Sequence, residues 1–119
     1  MKFLELIRFR VSQINQCAYC LDMHYKIAVH HGEEPQRLYS LNAWRETDYY
    51  SEKEMAALAL AERLTEIRSA EIPSKMFEDL RKYFSEEEIS NLCIVITQIN
   101  VWNRVTKIFD YEAGSYQLD

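Results

Sequence analysis

Cys17-Ala18-Tyr19-Cys20-Leu21-Asp22-Met23-His24 brings two thiols and an imidazole into one short stretch of chain. On a helix, positions three and four apart share a face, so Cys17, Cys20 and His24 project together, beside Leu21, Ile27, Ala28 and His31. That face is otherwise largely apolar. A thiol reacts as its thiolate, which a helix N-terminus or a neighbouring cation favours, so a dithiol beside an imidazole in a partly dry pocket has the makings of a redox centre. The same side chains also supply three zinc-type ligands, a set that Glu5 or His31 would complete. Thiol chemistry is the stronger expectation. Structural zinc sites draw ligands from turns and hold core-poor domains together, whereas this pair enters a long helix.

The elements that must position these residues read as helices throughout. The chain has two glycines and two prolines, no Asn-Gly or Asp-Gly hairpin signal and no clean apolar/polar alternation. A first helix from Phe3 to Ile14 places Phe3, Ile7, Val11 and Ile14 on one face and Glu5, Phe9 and Ser12 on the opposite one, so Glu5 points away from the main stripe. A break at Asn15-Gln16 leads into a second helix, from near Cys17 to Gly32, with the cysteines in its first turn. His30 and His31 precede Gly32, where cationic side chains complement the helix dipole. Pro35 opens a short segment through Leu38 and Leu41 to Trp44, and a loop through Tyr50 follows.

Two capping boxes, Ser51 with Glu54 and Ser85 with Glu88, start two further helices, with a shorter one from Pro73 to Tyr83 between them. The first carries the stripe Ala56, Ala59, Leu60, Leu64 and Ile67. The second, from Ile89 to Phe109, is apolar on most sides, through Ile94, Val95, Ile96, Ile99, Val101, Trp102, Val105 and Ile108. That is more apolar helix surface than a small domain covers alone, so a homo-oligomer is expected. Asn100 and Asn103, a turn apart on this helix, either line a site or hydrogen-bond across an interface, the second being the stronger expectation. Trp44, Trp102 and the tyrosines read as core and interface, and Cys93 as a buried apolar filler.

Composition bounds the rest. A chain of 119 residues at 48% apolar content, with eight Tyr, five Phe and two Trp, can build the core of a single domain over residues 1–119. The net charge is −5, with both signs interspersed and no Lys/Arg run, so neither nucleic acid nor membrane is expected as a partner. Glu5, Arg8 and Arg10 interrupt any signal-peptide core, and no apolar run approaches a bilayer span. A cytoplasmic protein is expected. Three cysteines without a secretory signal argue against a disulfide framework and leave the close pair for redox or metal roles.

From Glu5 to Glu62 the chain resembles the core of the AhpD-like alkylhydroperoxidase branch of the carboxymuconolactone decarboxylase superfamily. Its signature is a Glu, eleven residues, then Cys-x-x-Cys-x-x-x-His, and Glu5, Cys17, Cys20 and His24 stand at those spacings. Arg8 to Asn15, Leu21 to His24, Gln36 to Tyr39, Trp44 to Thr47 and Ile99 to Arg104 are similar to the family as well. The resemblance implies an all-α, AhpD-like helical bundle assembling into dimers, trimers or hexamers. It implies a peroxidase that reduces organic hydroperoxides through the two cysteines, without metal or other cofactor, and is restored by an external thiol/disulfide reductant. In that scheme Cys20 is the peroxidatic cysteine, Cys17 the resolving one, and His24 with Glu5 a proton relay.

Two departures stand out. Family members usually carry a further helical segment before the position of Glu5, whereas this sequence starts four residues earlier, which implies an uncapped first helix. Tyr19 stands between the cysteines where the namesake peroxidase has a histidine, removing one proton donor. The competing classes are a Cys/His metal-binding protein and a non-catalytic helical scaffold. The decarboxylase branch of the superfamily needs no vicinal dithiol.

Overall fold

Helix α1 (Lys2–Ile14) is the element around which the others gather: α2 (Ala18–His30), α4 (Glu52–Thr65) and α6 (Glu86–Ile108) all pack on it. A computed structural model describes residues 2–68 and 72–119, and among these there is no strand. The remaining elements are the short helix α3 (Pro35–Tyr39), a 3₁₀ turn (Leu41–Glu46) and α5 (Ser74–Arg81). The expected segment from Pro35 to Trp44 is thus two pieces, which bury Leu38, Leu41 and Trp44.

The central position of α1 corrects one expectation. Leu6, Ile7 and Val11 are buried, but so are Glu5, Phe9, Arg10 and Ser12. Glu5 points away from the main stripe and still into the protein, because α2 and α6 cover the second face. Helix α4 shows the same effect of neighbours. Its buried residues are Ala57, Leu58, Leu60 and Ala61, while Ala56, Ala59 and Leu64 of the expected stripe are half-buried and Ile67 lies beyond the helix, exposed. An alanine-rich helix held between α1, α5 and α6 takes its phase from them.

Both capping boxes form. The Ser51 hydroxyl accepts from the Glu54 N–H and the Glu54 carboxylate from the Ser51 N–H, and Ser85 and Glu88 repeat the exchange. Along α6 a single stripe of Ile89, Leu92, Ile96, Ile99, Asn103 and Thr106 is buried. Ile94, Val101, Trp102 and Ile108 face outward. Asn100 and Asn103 bond across an interface internal to the chain: Asn15 Nδ2 donates to Asn100 Oδ1 at 2.8 Å and to Asn103 Oδ1 at 2.9 Å. Asn103 in turn donates to Ser12 Oγ, and Asn100 to Thr65 Oγ1. This polar knot fixes the break between α1 and α2, where Gln16 turns the chain with φ 53°.

Charged side chains tie the periphery down. Glu62 on α4 accepts from Arg10, Trp44 Nε1 and Arg45, and Arg37 joins the buried Glu33 to Glu54. Past α6, the chain folds back over α2, where Lys26 donates to the carbonyls of Gly114 and Tyr116. Among the described residues no helix is long and apolar enough to cross a membrane.

Candidate active site

Cys17 is the N-cap of α2, with its sulfur accepting from the Cys20 N–H at 3.3 Å. A sulfur at this position meets the positive end of the helix dipole, which favours a thiolate. The two cysteines are joined as a disulfide, with Cα atoms 5.2 Å apart, and both are buried.

One turn further along α2, His24 is also buried, and its Nδ1 lies 2.8 Å from Glu5 Oε2 across the α1–α2 contact. Arg8 Nη1 donates to the other Glu5 oxygen at 2.6 Å. Burial pushes the Glu5 carboxyl up, but the hydrogen bonds and positive charges supplied by His24 and Arg8 outweigh it and hold Glu5 below its ordinary value. The carboxylate therefore fixes the imidazole through Nδ1 and leaves Nε2 to the cavity that His24 lines.

That cavity, about 390 Å³, is lined by Glu5, Cys20 and His24 together with apolar side chains such as Met23, Ile99 and Trp102. The structure thus brings together all four residues singled out by type and spacing.

A fifth residue, Thr106 on α6, escaped the sequence reading. Its Oγ1 stands 3.2 Å from Cys17 Sγ and 3.3 Å from Cys20 Sγ, and donates to the Trp102 carbonyl at 3.0 Å. Its one sequence signal is register: it follows Ile99 and Asn103 at helical spacing on the buried stripe.

Other candidates lie elsewhere. His31 is exposed at the C-cap of α2, beside His30. Among the described residues no group of three or more His, Cys, Asp or Glu side chains is placed to hold a metal ion. Cys93 is a free, half-buried thiol whose ionisation burial pushes up. Tyr19 stacks edge-on against Tyr111 at 5.1 Å, forming part of the cavity wall.

Known proteins are similar to this chain in sequence and in fold. YdfG of Bacillus subtilis (strain 168), itself uncharacterized, is 45% identical over 111 residues, which span 93% of this chain and 76% of YdfG. A crystal structure from Agrobacterium tumefaciens, a protein of unknown function with the suggested designation antioxidant defence protein AhpD, superposes with a TM-score of 0.90. It is 38% identical, over 96% of this chain and 78% of that one. An uncharacterized peroxidase-related protein from Silicibacter sp. TM1040 gives a TM-score of 0.83 at 28% identity, over 96% of this chain and 60% of its own. The profile of the carboxymuconolactone decarboxylase family matches residues 1–63, the stretch that holds Glu5, the cysteine pair and His24. On this agreement of profile, relatives and helical architecture, the chain belongs to the carboxymuconolactone decarboxylase family.

Proposed function

We propose that the protein is a thiol-dependent peroxidase that reduces organic hydroperoxides through the Cys17/Cys20 pair, with His24 and Glu5 as its proton relay. The observation that carries this reading is that Cys20, His24 and Glu5 line one apolar cavity while Cys17 stands within disulfide reach of Cys20. In the reduced protein, the Cys20 thiolate attacks the outer oxygen of R–O–OH. The O–O bond breaks, Cys20 becomes a sulfenic acid and the leaving alkoxide takes a proton from His24 to depart as ROH. Cys17 then attacks the sulfenic sulfur, expelling hydroxide, which is protonated to water, and the disulfide forms. Two thiols have been oxidised and one hydroperoxide reduced. Glu5 orients the ring through Nδ1, and the Thr106 hydroxyl supports the negative sulfur.

The AhpD-like and peroxidase-related designations of the two structural neighbours support the same chemistry. The reading includes one domain over residues 1–119, a homo-oligomer that covers Ile94, Val101 and Ile108 of α6, and a cytoplasmic setting in which an external thiol keeps the pair cycling.

The test is a count of free thiols in the reduced protein before and after one equivalent of cumene hydroperoxide. A loss of two thiols to a Cys17–Cys20 disulfide, absent in Cys17→Ser and Cys20→Ser, is expected. Inert thiols, or full turnover by Cys20→Ser, would overturn the assignment.

A further inference from the structure

The disulfide lies between two different openings. Cys20 lines the apolar cavity with His24 and Glu5, and Cys17 does not. Cys17 lines a second opening of about 450 Å³, bounded by Gln16, Ala18, Lys107, Asp110 and Glu112, which Cys20 does not reach. Tyr19, Thr106 and Tyr111 line both and form the partition. We propose that the second opening is the reductant site, where a small hydrophilic dithiol attacks Cys17 while the hydroperoxide meets Cys20 from the opposite side.

The chemistry of disulfide exchange selects this assignment. An attacking thiolate arrives along the extension of the S–S bond and expels the far sulfur. Entry through the second opening therefore makes the bond from the reductant to Cys17 and releases Cys20 as the thiolate. Cys20 is the sulfur expelled by position: the second opening reaches Cys17 alone, and Cys20 lies on the cavity side with His24. The sulfur released is the one that faces the cavity. A second thiol on the same reductant then attacks its own sulfur in the mixed disulfide, frees Cys17, and leaves as a cyclic or internal disulfide. The balance is enzyme disulfide plus dithiol giving enzyme dithiol plus reductant disulfide. A dithiol suits the site better than a monothiol, since Cys17 is buried and the second attack needs no second entry. The exposed Lys107, Asp110 and Glu112 fit a polar chain, whereas Met23, Ile99 and Trp102 fit the apolar body of a hydroperoxide. The inference takes its oxidant from the peroxidase reading and its reductant site from the lining of the second opening.

The two half-reactions test it separately. Reduction of the diamide-oxidised protein by dithiothreitol is followed without hydroperoxide, and oxidation of the reduced protein by cumene hydroperoxide without reductant. Ala18→Trp and Ala113→Trp fill the second opening from different walls at exposed positions, and Met23→Trp fills the cavity. Both groove variants should reduce about tenfold more slowly with dithiothreitol and oxidise at the wild-type rate, while Met23→Trp should do the reverse. Unchanged reduction in both groove variants, or reduction slowed by Met23→Trp, overturns the proposal. Treating the oxidised protein with 2-mercaptoethanol while alkylating free thiols should leave the adduct on Cys17 and the alkyl group on Cys20, and the opposite pattern also overturns it. If cumene hydroperoxide oxidises no thiol while the groove variants still slow reduction, the peroxidase reading falls and the reductant site stands.

Discussion

Thr106 carries one hydroxyl proton with three claims on it: the Trp102 carbonyl at 3.0 Å, the Asn103 carbonyl at 3.3 Å, and a sulfur once the disulfide opens. Shared between Cys17 and Cys20, the hydroxyl can follow the charge from one to the other. Thr106→Val should raise the thiol pKa by about one unit and slow the reaction with hydroperoxide at neutral pH roughly tenfold, with Thr106→Ser restoring both. The thiolate absorbance of the reduced protein against pH reads the first effect, and stopped-flow oxidation the second. Glu5→Gln should lower turnover by about a hundredfold, since an amide holds the imidazole Nδ1 less firmly than the carboxylate does. Because His24 and Arg8 hold the Glu5 carboxyl below its ordinary value, any fall from Glu5 in the wild-type pH–rate profile should come at lower pH than an ordinary glutamate would give. Legibility differed between these residues for a physical reason. Cys17, Cys20 and His24 are helical neighbours, so spacing alone put them on one face. Glu5 meets His24 from another helix and Thr106 meets the sulfurs from a third, contacts that periodicity does not encode. Glu5 was found through its family spacing, and Thr106 was not found.

At the level of elements, boundaries written in local chemistry were readable. Ser51 and Ser85 with their glutamates, Pro35 at the start of α3 and the φ +90° glycine after α2 each act within a few residues. Ser51→Ala or Ser85→Ala should cost about 1 kcal/mol, read by urea unfolding. The phase of a helix was less readable where its neighbours decide it. On α4 the alanines give little contrast between faces, and α1 is buried around most of its circumference, which a single apolar stripe does not announce. What occupies part of that face is Arg10, 9% exposed and paired with Glu62. Glu62→Ala would leave this guanidinium buried without its carboxylate and take a hydrogen-bond acceptor from Trp44, at a cost of roughly 3 kcal/mol in the same assay.

For the molecule as a whole, Glu5, Glu54 and Glu62 have carboxyls that burial pushes up and that cationic and hydrogen-bonding partners bring down further, leaving each below its ordinary value. Such groups add stability that is fully present above the unfolded-state value of about 4.3 and is lost as pH falls through the folded-state values. The urea midpoint should accordingly hold near neutrality and drop from about pH 4 downward, with Glu62→Gln flattening the drop. The all-helical architecture was legible because glycine and hairpin signals were scarce; the state of assembly lies in surfaces a single chain does not pair. If the exposed residues of α6 mediate the proposed self-association, sedimentation should give a mass above the 14.2 kDa of one chain, and Ile94→Asp with Ile108→Asp should bring it down. The segment beyond α6 matters differently. Tyr111 stands in the wall of both openings, yet the segment is held by Lys26, the Tyr19 ring and the Thr106 carbonyl and places no side chain in the buried apolar core. Its sequence can therefore drift without endangering the fold, so on the proposed peroxidase reading selectivity for oxidant and reductant is open to evolution at a place where mutations cost little stability.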